Sequence, residues 1–408
     1  MKGIKYLSKK LECKRTRAAL RYKFYEQKQT TSDLGISTPK GLEWFTQING
    51  WCTKAVDNLA DRLQFDGFKN DNFKFTELFD QNNPDIFFDD AILSALITSC
   101  SFVYITRGDE VDGTNQVKFQ IIDGTNATGI IDDFTKLLVE GYAVLDRDEH
   151  DKVVTYAYFT PGRTEVYRAG ESEPFAVQTF NSRYCALVPI IYRPDAKRPF
   201  GHSRISRACM DYAKSAMRTV KRAEISAEFY SFPQKYATGL SQDAEEMDKW
   251  QASMSALLTF TKDEDGEKPT LGQFTVGSMT PHMEQLKTTA SLFAGETGLT
   301  LDDLGFVTSN PSSAEAIKAG HEGLRLTATK AQRCFGVGFK NVGFIGACIR
   351  DNNDYRREEL FTTRATWKPT FEPDAAMLSA IGDGVIKLNQ AMPNYITEDR
   401  MRRMTGIE

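Results

Sequence analysis

Residues 296–335 read TGLTLDDLGFVTSNPSSAEAIKAGHEGLRLTATKAQRCFG. A short loop holding Asp302 and Asp303 runs into Asn310-Pro311-Ser312-Ser313-Ala314-Glu315-Ala316, which has the form of a helix start. Ser312 is placed to cap, and Glu315 follows at the spacing of a capping box. From there to Arg350 no breaker stronger than glycine occurs. The pattern predicts one helix over 312–350, about 58 Å long at 1.5 Å per residue. Gly336, Gly338, Gly343 and Gly346 weaken its second half and predict a kink near 336. A helix of that length suits an element that spans an assembly more than one that merely covers a core.

Upstream of this stretch the chain changes character twice. Residues 1–110 read mainly helical: Trp44, Phe45, Ile48, Trp51, Cys52, Val56, Leu59 and Leu63 recur at helical spacing and predict one apolar stripe. A second helix is expected over 89–98, passing into a strand near 102–106. Residues 117–193 then carry short runs rich in Val, Tyr, Phe and Thr, separated by turns at 146–151, at Pro161-Gly162 and at Ala169-Gly170. Such runs predict an antiparallel meander. Helices before and after it make the fold class α+β.

Ser203 is placed to cap a helix running to Tyr230, stopped by Phe232-Pro233. Residues 234–280 form a small insertion with an acidic helical piece over 243–258 and a hairpin turning at Asp265-Gly266. Thr280-Pro281 starts another helix, with proline at its first position, ending near Gly295. Beyond the long helix, Trp367 to Phe371 reads as an edge strand, and short helices are expected over 374–391 and 396–405.

Composition bounds the function classes. The 408 residues are 41% hydrophobic and 26% charged, an ordinary folded balance. The net charge of −4 does not mark the whole chain as a basic nucleic-acid binder. Seven scattered cysteines form no CxxC pair, which points to a reducing compartment without a disulfide framework. The N-terminus is basic without an apolar core, so it does not read as a signal peptide. The least charged stretch, residues 91–106, is too short to span a membrane.

The chemistry-bearing motifs are weak. None of the four histidines has a metal-ligand neighbour at helical spacing. Asp146, Asp148 and Asp151 lack the glycine and distal glutamate of a calcium loop and read as a solvated turn. Gly336-Val-Gly338 has Asn341 where a dinucleotide fingerprint needs its third glycine. Cys100 and Cys185 read as buried structural thiols rather than nucleophiles. No cofactor, metal site or catalytic residue is expected. Charge is more informative. Helix 204–230 carries Arg204, Arg207, Lys214, Arg218, Lys221 and Arg222, whereas the insertion is acidic. The bland reading is solvated helix faces and an acidic surface hairpin. The functional reading is a pore or interface built from charged helices with an acidic tip offered to a partner.

Leu187-Val-Pro-Ile-Ile-Tyr-Arg193, Phe200-Gly-His-Ser203, Asn310-Pro-Ser-Ser-Ala-Glu-Ala316 and the Trp367 strand followed by Asp374-Ala-Ala occur in an order that resembles the portal proteins, the head–tail connectors of tailed double-stranded DNA bacteriophages. The resemblance covers nearly the whole chain. It implies a wing of helices and antiparallel meander (1–203), a stem helix (204–230), a small α/β clip (231–280), a second stem helix (281–295) and a tunnel loop (296–311). A long kinked wing helix (312–350), a strand returning to the wing (351–373) and a short helical crown (374–408) follow.

In function the resemblance implies a ring of about twelve subunits at one capsid vertex, the channel for genome packaging and ejection. The expected partners are duplex DNA held without sequence specificity, the terminase large subunit, a head–tail adaptor, and the major capsid and scaffolding proteins. The chain would sit in the virion after assembly in the host cytoplasm, with no membrane and no enzymatic activity. The implied tunnel-loop residues are Asp302, Asp303 and Asn310. The implied channel or stem charges are Arg207, Lys214, Arg218 and Lys221. The implied clip surface is Asp243, Glu245, Glu246, Asp263 and Asp265. The alternative is another virion structural protein, an adaptor or minor capsid component without a DNA channel.

Overall fold

The computed structural model describes residues 2–30, 44–108, 117–231, 235–238, 270–273, 275, 277–306, 319–370 and 375–405. Two compact units are present. The larger comprises residues 1–28, 50–210 and 294–408, and the smaller comprises 29–49 and 211–293.

In the larger unit α1 (Ile4–Tyr25) lies along a five-stranded antiparallel meander, β4 (Ala127–Ile131), β5 (Leu138–Arg147), β6 (Val153–Thr160), β7 (Arg163–Arg168) and β8 (Ala176–Thr179). Leu7 and Leu11 of α1 pack with Tyr142 and Val144 of β5. The start of α1 is fixed by Glu140, whose carboxylate accepts the backbone N–H groups of Lys2 and Gly3 at 2.8 and 2.7 Å and the Tyr158 hydroxyl at 2.5 Å. The two N–H groups belong to Gly3, the cap residue, and Lys2 just before it, and a carboxylate beside a helix N-terminus is favoured by its dipole.

The sequence predicts one meander across 117–193; the structure divides it. β2 (Cys100–Arg107) pairs on one side with β3 (Val117–Ile122) and on the other with β9 (Leu187–Ile191) in a separate three-stranded sheet. Six successive residues of β2, from Cys100, are buried, so its faces offer no alternation to read. β4 is the short Ala-Thr-Gly-Ile-Ile strand, too short to stand out by its residue pattern. The Pro161-Gly162 turn is where expected, with Gly162 at φ +70°. The turn after β5 is closed by Asp148, which accepts the N–H groups of His150 and Lys152.

The helical N-terminal region is partly corrected. α2 (Trp51–Ala60) buries Cys52, Val56 and Leu59, but Trp44 and Ile48 precede it and are 71% and 58% exposed. β1 (Phe65–Lys69) and α3 (Phe75–Asp80) follow, and then α4 (Pro84–Thr98), with proline in its first turn. β1 pairs with β12 (Arg364–Trp367), so the strand expected from Trp367 onward lies earlier, ending at that residue.

α6 (Thr280–Thr297) precedes the candidate loop, and α7 (Glu322–Arg350) is the described part of the long helix, with His321 in a turn just before it. Its 29 residues span about 44 Å. The proposed cap, Ser312 with Glu315, lies outside the described residues. α7 is one continuous helical segment through 336. Its glycines allow close packing: a Cβ would come within 2.9 Å of Ala365 at Gly336, 2.8 Å of Ile190 at Gly338 and 2.7 Å of the Phe75 ring at Gly343. Residues 341–349 are buried on every side. The aromatic core around α7 includes Phe65, Phe88, Phe339 and Trp367, with ring centroids 4.3–6.2 Å apart. α8 (Ala375–Ala391) and α9 (Glu398–Thr405) end the chain close to where they were expected.

In the smaller unit β10 (Lys235–Thr238) pairs antiparallel with β11 (Thr270–Gln273). The expected hairpin joined a strand near 257–261 to the 269–276 run; the described partner of that run is β10. Residues 239–269 lie outside the described residues.

Candidate channel elements

α5 (Arg207–Ser231) is the helix expected over 204–230, starting three residues later and ending one later. Ser203 does not cap it. The Ser203 hydroxyl donates to the Ile97 carbonyl at 2.6 Å and accepts the Ile205 N–H at 3.0 Å. Ser206 is the cap, accepting the Cys209 N–H at 3.1 Å. Arg204, read as a surface charge, is 6% exposed; its guanidinium donates to the Ala55 carbonyl at 3.1 Å and to the Thr297 carbonyl. A buried arginine bonded to carbonyls leaves no mark in sequence periodicity.

Arg207, Asp211, Lys214, Arg218 and Arg222 are exposed and recur every three or four residues, forming one charged stripe. Ala213, Met217, Lys221 and Ile225 recur every four residues in a buried row that flanks this stripe. Three of the four proposed stem charges therefore share an outer face. Lys221 does not: it is 2% exposed, with its aliphatic stem among the apolar positions. Glu224 accepts from the Gln47 side chain, and Ser226 and His282 approach to 3.3 Å.

Asp302 and Asp303 form a 3₁₀ turn with Leu304, and they differ in role. The Asp303 carboxylate accepts the Thr300 N–H at 2.8 Å and the Thr300 hydroxyl at 2.9 Å, and the Asp303 N–H donates back to Thr300 Oγ1 at 3.3 Å. That reciprocal pairing resembles a capping box and occupies the carboxylate. His321 Nδ1 lies 3.8 Å from it. Asp302 is exposed. Gly305 ends the turn at φ +89°. Asn310 and the clip acids Asp243, Glu245, Glu246, Asp263 and Asp265 lie outside the described residues.

The other chemistry-bearing groups are structural. Burial pushes the Cys100 thiol up to about 11 and the Cys185 thiol up to about 12, far from a ready thiolate. Among the described residues no group of three or more His, Cys, Asp or Glu side chains could hold a metal ion. No helix among them is long and apolar enough to cross a membrane.

No family model matches the chain. Two curated proteins align with nearly all of it. The portal protein of Mycobacterium phage D29 is 21% identical over 402 residues, covering 94% of this chain and 81% of that protein. The relatives of this chain are phage portal proteins. The portal protein of Mycobacterium phage L5 is likewise 21% identical over 398 residues, covering 93% of this chain and 80% of its own length. Two solved chains, one from the virion of a native gene transfer agent particle and one from the neck of such a particle computed with C12 symmetry, overlay 88% of this chain at a TM-score of 0.45 and 12% identity, with 90% of each solved chain covered.

Proposed function

We propose that this chain is the protomer of a portal, a closed ring at one capsid vertex through which the genome is packaged and ejected. The observation that carries the reading is the alignment with two mycobacteriophage portal proteins, which extends over more than nine-tenths of the chain. Local motifs shared by chance do not align at such length.

The physical features are compatible with that role. The exposed stripe of α5 is net positive, with Asp211 the one acid among Arg207, Lys214, Arg218 and Arg222, and would give a few weak phosphate contacts or pair with a neighbouring subunit. A wall past which a duplex slides needs few uncompensated cations, because each phosphate contact adds salt-dependent affinity and slows movement. Exposed Asp302 adds a repulsive group within the proposed tunnel loop. The large exposed side chains Ile386, Leu388, Met392 and Tyr395 near the C-terminus, each 47–60% exposed, suit contacts between neighbouring subunits. The acidic clip would meet the terminase large subunit during filling and an adaptor afterwards.

The test is location. Gold-labelled antibody against this chain, applied to particles that contain it, should mark a single vertex. Label at all vertices, or along a tail, contradicts the reading.

A further inference from the structure

We propose that the larger unit carries a binding site for a phosphate-bearing anion, in the cavity between α1 and the turn at 193–201. The cavity has a volume of about 500 Å³, the size of a small-molecule site. Lys10, Lys14, Arg17 and Arg21 line it from one face of α1, and Lys197 and Arg198 line it from the turn. This site is separate from the proposed channel elements and does not depend on the portal reading.

The α1 cations fall at spacings of four, three and four residues, one helical face. The turn that opposes them is built. Gly201 sits at φ +75°, where a Cβ would come within 2.0 Å of the Tyr192 carbonyl oxygen, so only glycine fits. Asp195 accepts the Arg198 N–H at 2.6 Å and pairs with His202 at 2.5 Å, and the Gly201 N–H donates to the Arg198 carbonyl at 2.9 Å. Lys197 and Arg198 are thereby held across from α1.

Carboxylates in this region are spent elsewhere. Arg15, one residue beyond Lys14, pairs with Asp151, yet none of the six lining cations forms an ion pair among the described residues. Asp133 is the one carboxylate lining the cavity. Lys10 reaches the Gly129 carbonyl at 2.6 Å, and the Lys14 and Lys10 amines lie 4.3 and 5.2 Å from the centroid of the Phe200 ring. These contacts orient the cations without neutralising them. Burial, with Lys14 and Lys2 nearby, lowers Lys10 to about 8; burial also lowers Lys14 and Arg21.

Six cations facing one carboxylate call for a ligand with several negative charges in a small volume. A phosphate-bearing ligand supplies that, and the arginine forks match its oxygens in pairs. A single carboxylate would leave most of the charge uncompensated. The phosphate groups belong either to a free nucleotide or polyphosphate, or to a nucleic-acid backbone segment entering the cavity.

The test is calorimetric titration of the full chain with inorganic tripolyphosphate, at low salt. One saturating site per chain is expected. Lys14→Ala with Arg21→Ala should weaken it about tenfold or more, and Lys9→Ala, on the exposed side of α1, should leave it unchanged. Lys197→Ala with Arg198→Ala removes the opposite wall from an exposed turn. It should weaken binding similarly, so the test survives if the α1 variant misfolds. Competition separates the sources: a short duplex that displaces tripolyphosphate identifies a backbone site, and a duplex that does not identifies a free polyphosphate site. Absence of saturable binding, equal binding by the wall variants, or stronger displacement by a polyglutamate peptide would overturn the proposal.

Discussion

The α-carbon of Gly343 lies against the ring of Phe75, so close that a methyl group added there would come within 2.7 Å of the ring. The contact joins the buried half of α7 to α3 and makes the glycine a packing residue. Gly343→Ala gains about 1 kcal/mol of helix propensity but overpacks a rigid aromatic neighbour, at a cost of about 1–3 kcal/mol. The expected net result is a lowered melting temperature. Gly323, in the first turn of the same helix, has nothing within 4 Å. Gly323→Ala should raise the melting temperature slightly, worth about 0.5 kcal/mol. Thermal unfolding of the two variants decides the matter; a rise for both would mean that Phe75 is free to move aside.

That helix shows how far the sequence could be read. Its existence followed from the unbroken run to Arg350. The role of its glycines did not, because a glycine that kinks a helix and one that seats a neighbour look alike until Phe75, Ile190 and Ala365 are placed in space. The division of the meander into two sheets was hidden for a similar reason: β9 pairs with β2, from which it is separated by the whole five-stranded sheet. The stripe of Arg207, Lys214 and Arg218 was legible as residues but not as an exposed face, and Lys221, seven residues beyond Lys214 and at nearly the same helical angle, is buried where Lys214 is not. Of the cavity beside α1 only the basic N-terminal run could be read, since Lys197 and Arg198 meet Lys14 and Arg21 only through the fold.

Glu140 ties the residues that lead into α1 to the meander. Burial alone would raise its carboxyl, but the Tyr158 hydroxyl and the N–H groups of Lys2 and Gly3 outweigh that and hold it below the usual carboxylate range. A depressed carboxyl contributes stability that is present above the unfolded value, about 4.3, and is lost as pH falls through the folded value. Glu140→Gln should cost about 2 kcal/mol at neutral pH and flatten the acid limb of the stability profile. Unfolding in urea between pH 3 and 7 checks both; an acid limb as steep as that of the unsubstituted chain would count against this role.

Asp303 and Asp302 should separate under substitution. Asp303→Ala removes the partner of Thr300 and is expected to cost about 1 kcal/mol. Asp302→Ala should fall within about 0.5 kcal/mol of the parent. If Asp302 stands beside moving DNA, Asp302→Lys should leave assembly intact and slow genome filling in a packaging assay. Unchanged packaging would remove Asp302 from the channel.

On α5 the contrast is between Arg218 and Lys221. Arg218→Ala, on the exposed stripe, should leave stability within about 0.5 kcal/mol. Lys221→Ala withdraws a buried aliphatic stem and should cost about 2–3 kcal/mol. Equal denaturation midpoints would place the two side chains in similar surroundings.

The central claim is that copies of this chain close into a ring. Light scattering of purified protein, with negative-stain microscopy of the same sample, tests it most directly. The expected species has a mass of about 550 kDa, about twelve copies of a 45.9 kDa chain, with a central hole, as repeated head-to-tail contacts give when the rotation closes. A monodisperse species at the single-chain mass, with no rings at any protein or salt concentration, would contradict it.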